Sequence, residues 1–171
     1  AMRGERAMEG RLAEMMARQA GAGRVVWIGL RPARRAPVRP VRAAEITEAG
    51  LDGDRRARPG DRALTLLQAE HLPAIRALAR APGAGFADLR RNLAVAGLPL
   101  AALRGRAVAI GGAVIRITGP CAPCSRMEEA LGPGGYSAMR GHGGVTAAVV
   151  IPGPVALGDA VRPAGPEPRD R

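Results

Sequence analysis

Short apolar runs, separated by clusters of glycine, proline and charged residues, dominate the chain. The runs are rich in Val, Ile and Leu and are bounded by turn-forming residues, which is typical of β-strands. In segment 106–120, two alternating runs meet at Gly111 and Gly112, a favoured two-residue hairpin turn. Strands are predicted at 24–30, 41–50, 63–68, around 93–95, in the hairpin 106–120, and twice within 146–163.

Apolar residues at helical spacing occur in a few short segments. In the first of them Met8, Leu12, Met15 and Met16 lie on one face, which predicts an amphipathic helix outside the sheet, packed on it or on a partner. Loops are predicted at 31–40 and 50–62, where prolines, glycines and charges cluster. Helices are predicted at 4–19, at 69–81 and directly after the second cysteine.

This succession of elements predicts a mainly β fold with a few short helices. Consecutive strands joined by tight turns favour an antiparallel sheet or barrel over a doubly wound parallel sheet. With only three aromatic residues, the core must consist of Ala, Val, Leu and Ile. We expect a helical extension over 1–21, a β-barrel domain over 22–163 and a disordered tail over 164–171.

Arginine supplies all 26 basic side chains, and the formal net charge is +11. Without lysine the chain has no Walker A phosphate loop and no Schiff base to pyridoxal phosphate, so both classes of enzyme are excluded. Guanidinium groups remain available for bidentate binding of phosphate. The sequence contains neither an apolar run long enough to cross a membrane nor a signal peptide, so we expect a cytoplasmic protein with reduced cysteines.

The two cysteines, Cys121 and Cys124, lie together in the motif CAPC. They supply half of the four ligands that a structural zinc site needs, and His71 and His142 are not spaced as a zinc pair. A thioredoxin-like redox pair fits the local strand–CxxC–helix pattern, but here the pair follows a hairpin late in the chain. Buried cysteines without chemistry are the third reading. The CAPC motif alone does not decide between these three interpretations.

Three further motifs offer groups that can bind an anion. GLDGDRR contributes Asp54 and Arg55, RRNLAVAG contributes Arg91 and Asn92, and MRGHGG contributes Arg140 beside flexible backbone. Each motif alone is equally typical of a solvated surface turn. Because the GLDGDRR spacing lacks the later ligands of a calcium loop, an anion grip is the more specific hypothesis.

The motifs together resemble the MOSC domain, named after the C-terminal domain of molybdenum cofactor sulfurase. The resemblance spans about 22–163 and rests on five segments in the family's order. It implies a β-barrel fold in a small stand-alone member. The segments are GLDGDRR (50–56), DRALTLLQAEHL (61–72), RRNLAVAGLPL (90–100), LRGRAVAIGGAVIRITGPCAPC (103–124) and MRGHGGVTAAVVIPGPVALGDAVRP (139–163).

The resemblance also implies a role for one cysteine. In family reductases a cysteine near the end of the domain ligates the molybdenum of a pterin cofactor, and in other members it is proposed to carry sulfur as a persulfide. Cys124, after Pro123, matches that position best, and Cys121 is the secondary candidate. A thiolate is a soft metal ligand and a good sulfur nucleophile, and a helix N-terminus and Arg126 would favour it.

The same resemblance implies the remaining site and its partners. The cofactor-binding residues expected at one barrel mouth are Asp54, Arg55, Arg91, Asn92 and Arg140, with Asp54 orienting an arginine. Pyridoxal phosphate belongs to larger members, but this chain has no lysine to bind it covalently, so a separate cysteine desulfurase would supply sulfur. The implied activity is either sulfurase-like sulfur transfer or part of a small molybdenum-dependent reductase.

Two alternatives remain beside this reading. One is a thiol–disulfide oxidoreductase that uses the CAPC pair. The other is a non-catalytic protein that binds anions or nucleic acid, which the net charge suggests. Nucleic acid is disfavoured because three aromatic residues give no stacking platform.

Overall fold

Within residues 2–165, which the computed structural model describes, seven strands pair side by side until the last meets the first. The strands are β1 (Gly23–Leu30), β2 (Arg39–Pro40), β3 (Ala43–Thr47), β4 (Gly50–Leu51), β5 (Leu64–Gln68), β6 (Leu93–Ala96), β7 (Ala107–Ile110), β8 (Ala113–Pro120), β9 (Val145–Ile151), β10 (Gly153–Ala156) and β11 (Ala160–Pro163). The order β1-β6-β5-β9-β8-β7-β11 returns to β1, which closes a barrel. The mainly β-barrel fold predicted from the sequence is confirmed.

One pair in the barrel is parallel. β5 and β6 run in the same direction, with Leu66 opposite Leu93, whereas the other pairs are antiparallel. Parallel neighbours need a crossover connection, and here two helices supply it. The sequence pattern of tight turns predicted an antiparallel arrangement throughout, so this pair differs from the prediction.

The helices that follow the first barrel strand lie against the outside of the barrel. Two of them were not predicted: segment 86–89 was read as loop, and segment 135–139 contains too few residues for a periodic signal. Gly135 permits the second of these, because a Cβ there would press against the carbonyl oxygen of Met127. The helices are α1 (Met2–Ala17), α2 (His71–Ala79), α3 (Phe86–Leu89), α4 (Ser125–Leu131) and α5 (Gly135–Met139), with a 3₁₀ turn at Leu100–Leu103.

Alternation along the strands divides the apolar residues between two cores. Leu66 and Leu93 point into the barrel, while their neighbours Leu67 and Ala94 point outward against the helices. Successive side chains of a strand face opposite sides, so each strand serves both cores. A small sheet of β10, β3 and β4 packs Ile46, Leu51 and Val155 onto the barrel core.

The ends of the chain lie apart from this arrangement. The apolar residues of α1, including Met8 and Leu12, are exposed, so this helix does not pack on the barrel among residues 2–165, and its packing on a partner stays a prediction. Most of the predicted disordered tail, residues 166–171, lies outside the described residues. Among those described, no helix is long and apolar enough to cross a membrane.

The C-terminal segment holds one strand more than predicted. Two strands were expected within 146–163, and the structure has β9, β10 and β11 there. Pro152 separates the first two and Gly158, with φ of 88°, turns between the last two. The breaks are too closely spaced for the sequence pattern to resolve three runs.

We predict that Leu93→Ala lowers the free energy of unfolding by about 2–5 kcal/mol, because the fully buried side chain leaves a cavity in the barrel core. Urea denaturation measures the change. Leu78→Ala is the matched control: Leu78 lies on α2 with most of its surface exposed, so its stability should change by less than about 0.5 kcal/mol. Equal losses in both variants would contradict the core assignment.

Candidate functional site

Cys124 is exposed and occupies the N-cap position of α4, beside a small cavity of about 70 Å³. The loops after β1 and β4, the end of α3 and the start of α4 contribute guanidinium groups to it. Positive charge therefore surrounds the position in front of the thiol. The other lining residues are Arg31, Arg55, Arg56, Arg90, Arg91, Arg126 and Met127.

A buried ion pair between Arg31 and Asp54 fixes one wall of this cavity. The carboxylate accepts hydrogen bonds from Arg31 Nε at 3.0 Å, from Nη2 at 2.7 Å and from the Arg31 backbone N–H at 2.8 Å. Only 11% of the Arg31 side chain and 3% of the Asp54 side chain are exposed. Asp54 thus holds the guanidinium of Arg31 in place and does not itself line the cavity.

The electrostatics of Asp54 follow from this geometry. Burial by itself raises its pKa, but the hydrogen bond and the charge of Arg31, its backbone N–H, and a weaker contribution from Asn92 more than offset burial. The net pKa of Asp54 is lowered from its ordinary value. The lowered pKa keeps the carboxylate ionised at neutral pH, so Arg31 has a charged partner there.

Asn92 joins the barrel to the ion pair. Its Oδ1 accepts hydrogen bonds from the Thr65 backbone N–H at 3.0 Å and the Thr65 hydroxyl at 3.2 Å, and lies 3.5 Å from Arg31 Nη2. The side chain is only 1% exposed, yet its Nδ2 has no partner among the described residues. Because Asn92 also helps to lower the pKa of Asp54, its amide lies toward that carboxylate, and Asn92 does not line the Cys124 cavity.

Arg91 is also buried and bonds to nearby backbone through two of its three guanidinium nitrogens. Its Nε donates to the carbonyl of Gly143 at 2.8 Å and its Nη1 to the carbonyl of Leu89 at 2.8 Å. Nη2 is buried and has no partner within residues 2–165. Gly143 is required at this point because a Cβ would collide with the carbonyl oxygen of Cys121. Arg91 therefore fastens the MRGHGG loop to the end of α3.

Arg90 shows how closely the cations are grouped. Its backbone is left-handed, with φ of 56°, and its Nη1 donates to the carbonyl of Ala36 at 2.9 Å. Desolvation lowers the pKa of Arg90, and the charges of Arg126, Arg31, Arg55 and Arg56 lower it further. Like charges held this close favour an anion between them.

The second cysteine lines a different groove. Cys121 is 6% exposed and borders a groove of about 430 Å³. Arg140 lines this groove and does not line the Cys124 cavity. Arg140 and Cys124, which were predicted to belong to one site, therefore lie in different pockets. Both thiols are free. The groove is also lined by Ala101, Arg104, Ile117, Gly119, Pro120, Ala122, Pro123, Tyr136, Gly141, Gly144 and Val145.

Zinc coordination finds no support in the described part of the chain. His71 and His142 meet edge to face, with ring centroids 5.1 Å apart, but no three His, Cys, Asp or Glu side chains come together there as a metal site. Two histidines alone fall short of the four ligands of a structural zinc centre.

Sequence reasoning missed two arginines of the cavity, Arg31 and Arg56. Arg31 follows directly after the apolar run of β1, at the point where the strand leaves the barrel. A charged residue at the end of a buried strand was the available signal, but the three prolines of 31–40 suggested an ordinary loop. Arg56 was not distinguished from the neighbouring surface charges.

The sequence pattern of the MOSC domain matches residues 42–162. The chain belongs to the MOSC domain family. The match includes Cys121, Cys124 and the motifs of Asp54, Arg91 and Arg140. No functionally curated protein matches the chain.

Solved structures share the fold of this MOSC domain. The YuaD protein from Bacillus subtilis is 18% identical, with a TM-score of 0.72, over 82% of this chain and 94% of that one. YiiM from Geobacillus stearothermophilus is 16% identical, with a TM-score of 0.69, over 84% and 75% of the two chains. YiiM from Escherichia coli is 23% identical, with a TM-score of 0.60, over 84% and 70%. At these identities the similarity concerns the fold.

We predict that Asp54→Asn lowers the free energy of unfolding at pH 7 by about 3–5 kcal/mol, because it leaves the Arg31 charge buried without a partner. Because the folded-state pKa of Asp54 is lowered, its stabilisation is complete above the unfolded value of about 3.9 and is lost as the pH falls through the folded value.

The difference in the free energy of unfolding between wild type and Asp54→Asn should therefore become smaller below about pH 4. Urea denaturation across the pH range measures it. The neighbouring Asp52→Asn is the control, because Asp52 is exposed and lies outside the ion pair. A pH-independent difference would rule out the charge of Asp54 as its source.

Proposed function

We propose that this MOSC domain binds a molybdenum–pterin cofactor through Cys124, carries sulfur on the same thiol as a persulfide, or does both. One observation carries the proposal: an exposed thiol faces a cavity lined by six arginines. A thiolate is a soft ligand and a sulfur nucleophile, and guanidinium groups bind oxyanions and phosphate. A cytoplasmic location, where thiols stay reduced, is part of the proposal.

The residues present fit such a cofactor. Within residues 2–165 no three metal-ligating side chains converge, so Cys124 would be a single protein ligand. That suits a metal whose other ligands come from a pterin and from oxygen. The unpaired Nη2 of Arg91, which lines the cavity, is a buried donor and suits an acceptor-rich ligand.

Each side chain then has a distinct task. Cys124 holds the metal end, Arg91 donates a hydrogen bond to a ligand oxygen, and Arg55 adds charge at the rim. Asp54 acts through Arg31, whose guanidinium it holds in place. When bound, the cofactor supplies the redox chemistry of molybdenum, as in a small molybdenum-dependent reductase component.

Sulfur transfer uses the same thiol without the metal. The Cys124 thiolate attacks the terminal sulfur of a donor persulfide, forms Cys124–S–SH and releases the donor thiolate, so atoms and electrons balance. The donor would be a separate cysteine desulfurase, because this chain has no lysine for a pyridoxal Schiff base. Exposure of Cys124 is what a protein donor requires.

We predict that Cys124→Ser abolishes molybdenum retention and persulfide formation, because serine is a harder and far less acidic ligand. Cys121→Ser should keep most of either property, since Cys121 lines the other groove. Protein purified from a host that makes the cofactor is measured for molybdenum, pterin and persulfide. A thiol–disulfide oxidoreductase would instead lose insulin reduction in both variants, and that result would overturn the assignment to Cys124.

We also predict that Arg55→Gln weakens cofactor retention by about 1.5–3 kcal/mol, the worth of one charge-assisted hydrogen bond. Arg55 is exposed, so its loss should leave the fold intact. Arg140→Gln tests the last of the expected binding residues. If the ligand is confined to the Cys124 cavity, it should retain cofactor as wild type does. Equal weakening in both variants would show that the ligand also reaches the Cys121 groove.

A further inference from the structure

The groove beside Cys121 is larger than the Cys124 cavity, and the proposed function does not use it. Its volume is about 430 Å³, against about 70 Å³ for the cavity. Sites for small molecules have volumes of about 300–1,000 Å³, with mostly apolar walls that carry a few fixed polar groups. The groove therefore has the size of a small-molecule site, and its lining decides which ligand it suits.

Most of the side chains along the groove are apolar. Ile117 on β8 is fully buried, and Val145 at the start of β9 is 4% exposed. Ala101, Pro120 and Pro123 continue the same kind of wall. A ligand with a hydrocarbon body gains free energy here, because its apolar surface leaves water when it lies on these side chains.

Two arginines supply the charge of the groove. Arg104 directly follows the 3₁₀ turn, and Arg140 directly follows α5. Within residues 2–165, neither side chain forms a hydrogen bond or an ion pair, and no Asp or Glu side chain lines the groove. The guanidinium of Arg104 lies over Gly119, where a Cβ would be 3.9 Å from its Nε and Nη2. Guanidiniums without counter-ions favour an anion between them.

The backbone on the Arg104 side of the groove is anchored to the barrel. The N–H of Gly105, the next residue, donates to the carbonyl of Ile117 at 2.7 Å. The N–H of Cys121 donates to the carbonyl of Gly144 at 2.8 Å, which joins the cysteine segment to the MRGHGG loop. Because these segments are already held in place, little conformational entropy is lost when a ligand binds.

A carboxylate outside the groove anchors the Arg140 side. Glu128 accepts hydrogen bonds from the backbone N–H groups of Gly134 and Tyr136, both at 2.9 Å. These two bonds lower the pKa of Glu128. They fix the start of α5, so the helix holds Tyr136 and, after its last residue, Arg140 at the groove. The Tyr136 side chain adds an aromatic face and a hydroxyl donor to the lining.

From this arrangement we propose that the Cys121 groove binds a small organic acid. Arg104 and Arg140 bind its carboxylate, and its hydrocarbon body lies on Ile117 and Val145. A carboxylate matches the fork of donors on a guanidinium, and an apolar body matches a wall that is polar at few points. Because Cys124 does not line the groove, this inference does not rest on the proposed function.

The lining also separates this ligand from an inorganic oxyanion. Six of the residues that line the Cys124 cavity are arginines, which suits a ligand that is charged over most of its surface. The groove has two arginines among mostly apolar residues. An inorganic phosphate there would leave the apolar wall in contact with water, so it would gain nothing from the largest part of the lining.

Calorimetric titration of the full chain with cyclohexanecarboxylate, its neutral amide and acetate tests the inference. Cyclohexanecarboxylate should bind at least about tenfold more tightly than cyclohexanecarboxamide, because only the acid forms charge-assisted hydrogen bonds with the arginines. It should also bind at least about tenfold more tightly than acetate, because its ring buries apolar surface.

Substitution of each arginine locates the carboxylate. Arg104→Gln and Arg140→Gln should each lose about tenfold or more in affinity for cyclohexanecarboxylate, and little in affinity for the amide. Both side chains are exposed, so the fold should survive. Arg162→Gln is the matched control, because it removes an exposed arginine on β11 that does not line the groove. It should bind the acid as wild type does.

A third variant tests the apolar wall. Ala101 is exposed and lines the groove, so Ala101→Trp places a large side chain in it. This variant should lose both the acid and the amide, while its thermal unfolding stays close to that of wild type. Cys124→Ser should keep the affinity for the acid, because its thiol lies outside the groove.

Equal affinity for the acid and its amide, or an unchanged affinity in either arginine variant, would overturn the inference. Tighter binding of inorganic phosphate than of cyclohexanecarboxylate would overturn it as well. Failure of the proposed function looks different: a protein that carries neither molybdenum nor persulfide but binds the acid through Arg104 and Arg140 supports the groove as a separate site.

Discussion

The buried contact between Arg31 and Asp54 is the interaction on which the arrangement of the site depends. It ties the residue that follows β1 to the loop after β4, and these loops supply three of the cavity's arginines. Among residues 2–165, the only other ion pair made by an arginine of the cavity is the more exposed contact between Arg126 and Glu129. The cost of burying the pair is offset by three hydrogen bonds to one carboxylate, which is the geometry a buried pair needs to be tolerated.

The rest of the site follows from the barrel beneath it. Asn92 precedes β6 directly and bonds to Thr65 on β5, so the one parallel strand pair holds the amide under Arg31. The guanidinium of Arg91 donates a hydrogen bond to the carbonyl of Gly143, which lies shortly before β9. Two consecutive residues thus connect the loop of Arg31 and the MRGHGG loop to the start of β6. Because Arg91 and Asn92 directly precede a strand of the barrel, their side chains are held more firmly than side chains on a loop alone would be.

Much of the architecture could be predicted from the sequence, because period-two alternation and glycine turns are local signals. The hairpin at Gly111–Gly112 and the buried strand at Leu64–Gln68 are examples. The parallel pair was not predictable in this way, because register between β5 and β6 depends on contacts across a long crossover. For the same reason, motifs indicated Asp54 and Arg91 but not Arg31, and did not show that Arg140 lies in the groove of Cys121.

Closure of the barrel has a consequence for how the protein folds. The last seam joins Gly23 to Val161, so the first and last barrel strands find each other only after nearly the whole domain has been made. Pairings this distant in sequence must pay loop-closure entropy before they gain contacts, and they slow folding. We therefore expect the seam to form late, while the hairpin of β7 and β8 forms early. During synthesis, the residues through β11 must leave the ribosome before the barrel can close.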